Sequence, residues 1–196
     1  GGPTPRIVAI GASTGGPAAL ATILAAMPKN PPFAIVAVHH LDAGFVPGLV
    51  SWLSRETGRR VEIAAHGNPL QAGVCSIAGS DAHLLVDPRG RLVQRAEPAD
   101  AIHRPSVDVL FRSLVSSRIE PCAAALLTGM GRDGAEGLLE LRNAGWHTIA
   151  QDRSTSVVWG MPGAADRLGA AAAVLPLPLI AGEILRIAES PRRSNT

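Results

Sequence analysis

The sequence predicts one α/β domain, a doubly wound, mostly parallel sheet flanked by helices with one short antiparallel hairpin, and three observations carry that expectation. First, runs of apolar residues at Arg6–Gly11, Phe33–Val38 and Ala123–Thr128 read as strands buried on both faces, as parallel strands are. Second, segments with apolar residues at helical spacing alternate with these runs, and a helix between two buried strands supplies the crossover that parallel pairing requires. Third, 46% of the 196 residues are apolar. That is about 90 side chains, which suits one substantial core and not two large domains. No internal repeat is visible.

The elements follow in order. The first strand enters a Gly-rich turn and then an Ala- and Leu-rich segment, Pro17–Met27, with proline at the first turn of a helix. After the second strand, Phe45, Val46, Leu49, Val50, Trp52 and Leu53 approach helical spacing, and Gly58 stops that helix. Between Val61 and Gln94 the rhythm changes to short strands. There, Asp87-Pro88-Arg89-Gly90 reads as the turn of an antiparallel hairpin joining His83–Val86 to Arg91–Gln94. Pro105-Ser106-Val107-Asp108 opens another helix, with Ser106 as N-cap, Asp108 favourable to the helix dipole, and Val109, Leu110, Leu114 and Val115 facing inward. The third buried strand precedes a helix over Gly134–Ala144, where Asp133 and Glu136 have capping-box spacing and Gly145 closes the helix. Trp146–Ala150 resumes a strand, and Ala170–Leu175 and Leu179–Ala188 complete a domain expected to span residues 6–188. Residues 1–5 and 189–196 are expected to be flexible termini.

Composition excludes several classes. Lys and Arg number 18 against 16 Asp and Glu, a net charge of +2, and aromatic residues make up 3% with no tyrosine. A nucleic-acid binder would need clustered cations and stacking aromatics. The uncharged stretches Ile7–Pro28 and Leu168–Gly182 are broken by glycine, serine and proline, so neither is expected to cross or insert into a membrane or to serve as a signal peptide. Cys75 and Cys122 lie 47 positions apart, a spacing that suggests neither a zinc site nor a disulfide framework and fits a reducing cytoplasm.

In a doubly wound sheet, ligands bind beyond the carboxyl ends of the strands. Ser13 follows the first strand, His40 the second, and Asp133 the third, and together they are the parts of a Ser-His-Asp triad. Gly11-Ala12-Ser13-Thr14-Gly15 fits the G-x-S-x-G nucleophile pattern, whose small residues let the backbone turn sharply and lift the hydroxyl above the sheet. The same residues also fit a phosphate-cradling turn or a serine N-cap. A dinucleotide site fits less well, because the glycines do not match G-x-G-x-x-G and no acidic residue ends the second strand; Asp42 comes later. His39 and His40 point to opposite faces of the strand, so only one can face Ser13, and periodicity does not choose between them. Taken singly, Asp133 reads first as a helix cap with Glu136, and its two oxygens let it both cap and orient an imidazole.

These residues, in ordered blocks, resemble the catalytic domain of the CheB-type protein-glutamate methylesterases of bacterial chemotaxis. The blocks are Ile10–Gly16, His40 with Gly44-Phe45, His103–Phe111, Leu127–Ala135 and Val158–Pro162. The resemblance implies a carboxylic ester hydrolase with Ser13 as nucleophile, His40 as general base and then acid, and Asp133 orienting the imidazole. It makes the backbone amides of Thr14 and Met130 candidates for an oxyanion hole, and it implies no metal and no organic cofactor. The implied substrates are methylated glutamates on the cytoplasmic helices of chemoreceptors, with glutamine deamidation as a second activity. Members usually carry a phosphorylatable N-terminal receiver domain, for which 196 residues leave no room. Members also usually read Gln-His-Met-Pro where this chain has His39-His40-Leu41-Asp42. A phosphate- or nucleotide-binding module and a general esterase are the alternatives from the residues alone. Arg59 and Arg60 read as solvated surface or as a contact for acidic helices, and His103 and Arg104 carry no role assignable from sequence.

Overall fold

The structure, a computed structural model, describes residues 3–192. Strand β1 (Arg6–Ala12) leads through the Gly-rich turn to α1 (Gly16–Ala25), and β2 (Phe33–His39) leads through a 3-10 turn at Ala43–Phe45 to α2 (Val46–Thr57). Next come β3 (Arg60–Ile63), β4 (Val74–Ile77), the hairpin strands β5 (His83–Val86) and β6 (Leu92–Arg95), and α3 (Val107–Ser116). The chain closes with β7 (Ala123–Leu126), α4 (Ala135–Asn143), β8 (His147–Gln151), α5 (Met161–Arg167), β9 (Ala173–Leu175) and α6 (Leu177–Ala188).

Seven of these strands form one parallel sheet in the order β3-β4-β2-β1-β7-β8-β9, and β5 and β6 form a separate antiparallel pair. The expected architecture is therefore the observed one. Helices α1, α2 and α6 pack together on one face, while α3, α4 and α5 pack on the other, with the hairpin against α3. Central strands β1, β2 and β7 are apolar along almost their whole length and buried, as covering on both faces demands. The chain leaves β1 toward one face and β7 toward the other, so the loops after these neighbouring strands diverge and open a crevice at the switch point.

Several local expectations change in three dimensions. The short strands between Val61 and Gln94 divide: β3 and β4 join the main sheet in parallel beside β2, and only β5 and β6 make the hairpin. The buried face of α3 is Val107, Leu110, Phe111, Ser113 and Leu114, whereas Val109 and Val115 lie at its margin. Helix α5, which starts at the end of the Val158–Pro162 block, is too short for its periodicity to show in the sequence. The Arg59 guanidinium donates to the carbonyls of Ala25 and Met27, satisfying the C-terminus of α1, so this residue is structural; Arg60 is exposed beside Glu62. Among the described residues no helix is long and apolar enough to cross a membrane. Of the segments expected to be flexible, residues 1–2 and 193–196 lie outside the described residues, whereas Arg192 reaches Glu120 at 3.4 Å.

Phe111 on α3 is fully buried, with Gly137 of α4 against it, and Phe45 is 66% exposed. Phe111→Ala is expected to cost about 3–5 kcal/mol in urea unfolding, and Phe45→Ala less than about 0.5 kcal/mol.

Candidate active site

Three loops at the carboxyl edge of the sheet meet at the switch point. Ser13 directly follows β1, and its amide donates to the Thr128 carbonyl at 3.0 Å, tying the first loop to the one after β7. His40 directly follows β2, and its amide donates to the Ala12 carbonyl at 3.1 Å, which fixes the two loops side by side. The Thr128 hydroxyl donates to the Thr14 carbonyl at 2.9 Å and accepts from the Val158 amide at 3.1 Å, while the Gln151 side chain accepts from the Thr128 amide. Gly129 is needed where these loops cross. A Cβ there would stand 2.8 Å from the Ser13 Cβ and would strike the Met161 sulfur.

The structure separates the two histidines. The His40 ring lies 2.6 Å, Nε2 to Oδ2, from the carboxylate of Asp133. The His39 ring is turned to the opposite side against Gly16, where any Cβ would collide with it. His39 is 4% exposed and neither ring nitrogen has a hydrogen-bond partner. Burial, and then the neighbouring His40, push its pKa down to about 4, so it stays neutral.

Asp133 does not cap its own helix, contrary to the capping-box expectation. The N-cap position of α4 is held by Gly134, whose left-handed φ of 92° turns the chain away with no side-chain cap. The carboxylate crosses to the N-terminus of α3 instead. There it accepts from the Val107 amide (2.7 Å), the Asp108 amide (3.0 Å) and the Ser106 hydroxyl (2.9 Å). Ser106 also caps α3 as expected, accepting from the Val109 amide. Burial alone would raise the pKa of Asp133, but the hydrogen bonds from His40 and from the amides of Asp108 and Val107 outweigh it and hold the group at about 2. An ionised carboxylate only accepts, so His40 Nε2 carries a hydrogen, which in the neutral ring leaves the lone pair on Nδ1. Nδ1 is buried and without a hydrogen-bond partner.

The amides of Thr14 and Met130 have no acceptor among the described residues, and the Met130 side chain is 65% exposed. Ser13 does not cap α1, because Gly15 occupies the N-cap position in the left-handed conformation. Among the described residues, no three His, Cys, Asp or Glu side chains are grouped as metal ligands would be. Sequence reasoning missed the residues around Asp133 as parts of a site. It also missed His103, whose ring stacks on His40 with centroids 4.0 Å apart and planes 9° from parallel. The Ser106-Val107-Asp108 cap was visible as a helix start, but its acceptor lies 25 to 27 positions away.

A doubly wound parallel sheet with serine, histidine and a hydrogen-bonded aspartate at its switch point has the layout that serine hydrolases use. The chain belongs to the CheB methylesterase family, whose description matches residues 8–184. It is 48% identical over 189 residues to "Protein-glutamate methylesterase/protein-glutamine glutaminase 2" of Cupriavidus metallidurans, covering 96% of this chain and 56% of the relative. It is 50% identical over 188 residues to the corresponding enzyme 1 of Burkholderia lata, covering 96% of this chain and 55% of that one. The chain thus spans about half the length of the curated relatives it matches. The crystal structure of the Thermotoga maritima CheB methylesterase catalytic domain superposes with a TM-score of 0.88 at 33% identity, covering 93% of this chain and 98% of that one.

The buried His39 gives the domain a pH signature. Its folded pKa of about 4 lies below the ordinary 6.5. Between those values the unfolded chain takes up a proton that the folded chain refuses. Stability is therefore full above pH 6.5 and falls as pH drops toward 4, by about 3 kcal/mol if this group acts alone. The Asp133 contribution is lost separately, below about pH 4. Urea unfolding from pH 7.5 to 4 is expected to show the first loss, and His39→Gln to flatten it; an unchanged slope in the variant would refute the assignment.

Proposed function

We propose that this chain is the catalytic domain, residues 6–188, of a protein-glutamate methylesterase that hydrolyses glutamate methyl esters on the cytoplasmic helices of chemoreceptors to glutamate and methanol. The proposal includes deamidation of receptor glutamines as a second activity. The observation that carries it is the 2.6 Å His40–Asp133 pair on a loop whose His40 amide is bonded to Ala12, the residue before Ser13, in a chain whose relatives bear that enzyme name.

The geometry supports one assignment of roles. Ser13 Oγ attacks the ester carbonyl while its proton passes to the lone pair of His40 Nδ1. The Nε2–H bond to ionised Asp133 fixes the tautomer that leaves Nδ1 basic and stabilises the imidazolium that forms. The tetrahedral oxyanion is received by the Thr14 and Met130 amides, each donor contributing roughly 3–4 kcal/mol to the transition state. As the carbon–methoxy bond breaks, imidazolium returns the proton to the leaving oxygen and methanol departs. Water then attacks the acyl-serine by the same proton relay and releases glutamate. A phosphate-binding reading of the Gly-rich turn leaves the imidazole–carboxylate pair without a use, and a general esterase would show no preference for receptor esters over small ones.

Methanol release from a methylated chemoreceptor fragment tests the proposal directly. Ser13→Ala is expected to abolish release while the thermal melt stays cooperative. Asp133→Asn is expected to lower kcat on the order of 10³-fold with a smaller effect on KM, because an amide presents its own donors to the α3 amides and loses the tautomer control. Normal turnover in either variant would overturn the role given to that residue.

A further inference from the structure

A single hydrogen bond leaves the orientation of the His40 ring underdetermined. The bond from Nε2 to Asp133 fixes one point of the ring, and the torsion that turns an imidazole about its Cβ–Cγ bond is soft and broad. Nδ1, the nitrogen on which the proposed chemistry depends, has no partner of its own. The only ring stacked on His40 among the described residues is that of His103, nearly parallel at 4.0 Å. Turning the His40 plane far from its present orientation would drive its edge into that face.

His103 is carried by a loop anchored on both sides. His83 is fully buried in β5; its Nδ1 accepts from the Ser106 amide at 3.1 Å, so Nε2 carries hydrogen and donates to the Pro98 carbonyl at 2.9 Å. One buried imidazole thereby pins residues 98 and 106, the two flanks of the segment that presents His103. Arg104 pairs with Asp81 at 3.4 Å. The same Ser106 whose amide holds His83 gives its hydroxyl to Asp133, so the stacking ring and the carboxylate on either side of His40 share one support. Burial and the nearby His40 lower the proton affinity of His103, with Asp133 pulling the other way. A neutral ring over His40 leaves the imidazolium formed during turnover without a like charge on its face.

We propose that His103 is a positioning residue, which holds the plane of the His40 imidazole by stacking so that Nε2 stays on Asp133 and Nδ1 stays available to Ser13. The role rests on the esterase reading above, but one of its consequences is measurable without substrate.

The test compares the domain with its His103→Ala and His103→Phe variants, after thermal melts establish that both fold. Two readouts are used: kcat and KM on the methylated receptor fragment, and the downfield proton resonance of the His40 Nε2–H bonded to Asp133. His103→Ala is expected to lower kcat about tenfold with KM nearly unchanged and to broaden the resonance by faster exchange. His103→Phe restores a flat ring and is expected to recover most of both. Wild-type kcat and resonance in His103→Ala would overturn the proposal. So would His103→Phe failing like His103→Ala with a raised KM, because His103 would then be bonding substrate. If wild-type turnover proved independent of Ser13, the esterase reading would fail while the resonance comparison still decided whether the stack holds the ring.

Discussion

The carboxylate of Asp133 is the point on which the functional edge of this domain depends. It takes four hydrogen bonds, from the Ser106 hydroxyl, two amides at the start of α3, and His40. Each donor comes from a different part of the chain than the aspartate itself. A buried carboxylate with fewer partners would be protonated or would draw in water, because desolvation of an unpaired charge is costly. With all four, the group is ionised near neutrality and its geometry is over-determined. The α3 N-terminus supplies unsatisfied amides and a favourable dipole, so helix and carboxylate stabilise each other.

That arrangement links chemistry to packing. Asp108, whose amide serves Asp133, accepts from the Gly137 amide at 2.7 Å with its own side chain and so ties α3 to α4. Burial and the nearby Asp133 charge raise the pKa of Asp108, with the Gly137 amide opposing them. On the other side of the crevice, Thr128 binds the Ser13 loop to the segment before α5, and the Trp159 indole donates to the Gln151 carbonyl at 2.9 Å. The loops bearing Ser13 and Asp133 are therefore braced from both faces of the sheet. Such bracing restricts how far Ser13 and the His40–Asp133 pair can move relative to one another.

The order serine, histidine, aspartate along the chain differs from the serine, aspartate, histidine order of the α/β-hydrolases, although in both a serine follows a strand of a parallel sheet at a Gly-containing turn. The difference follows from strand order. Here β2 and β7 flank β1, so the histidine arrives from the strand next in sequence and the aspartate from the strand reached after the chain crosses back.

The sequence by itself determined the fold class, because buried parallel strands need unbroken apolar runs and crossovers need helices, and both are local patterns. It also determined the Gly-rich turn at Ser13, the Ser106 cap and the hairpin turn, each fixed by residues within four positions of one another. The ordered blocks carried the resemblance to the family. Only the tertiary structure decided which histidine faces the aspartate, since adjacent strand residues are equivalent until the layers above and below are known. It alone moved Asp133 from capping α4 to clamping α3, since Asp-x-x-Glu spacing does not reveal that Gly134 turns the chain into the left-handed region. It alone assigned β3 and β4 to the main sheet and set His103 on His40. These are contacts between residues far apart in the chain, and a sequence carries no local record of a partner supplied by another layer of the fold.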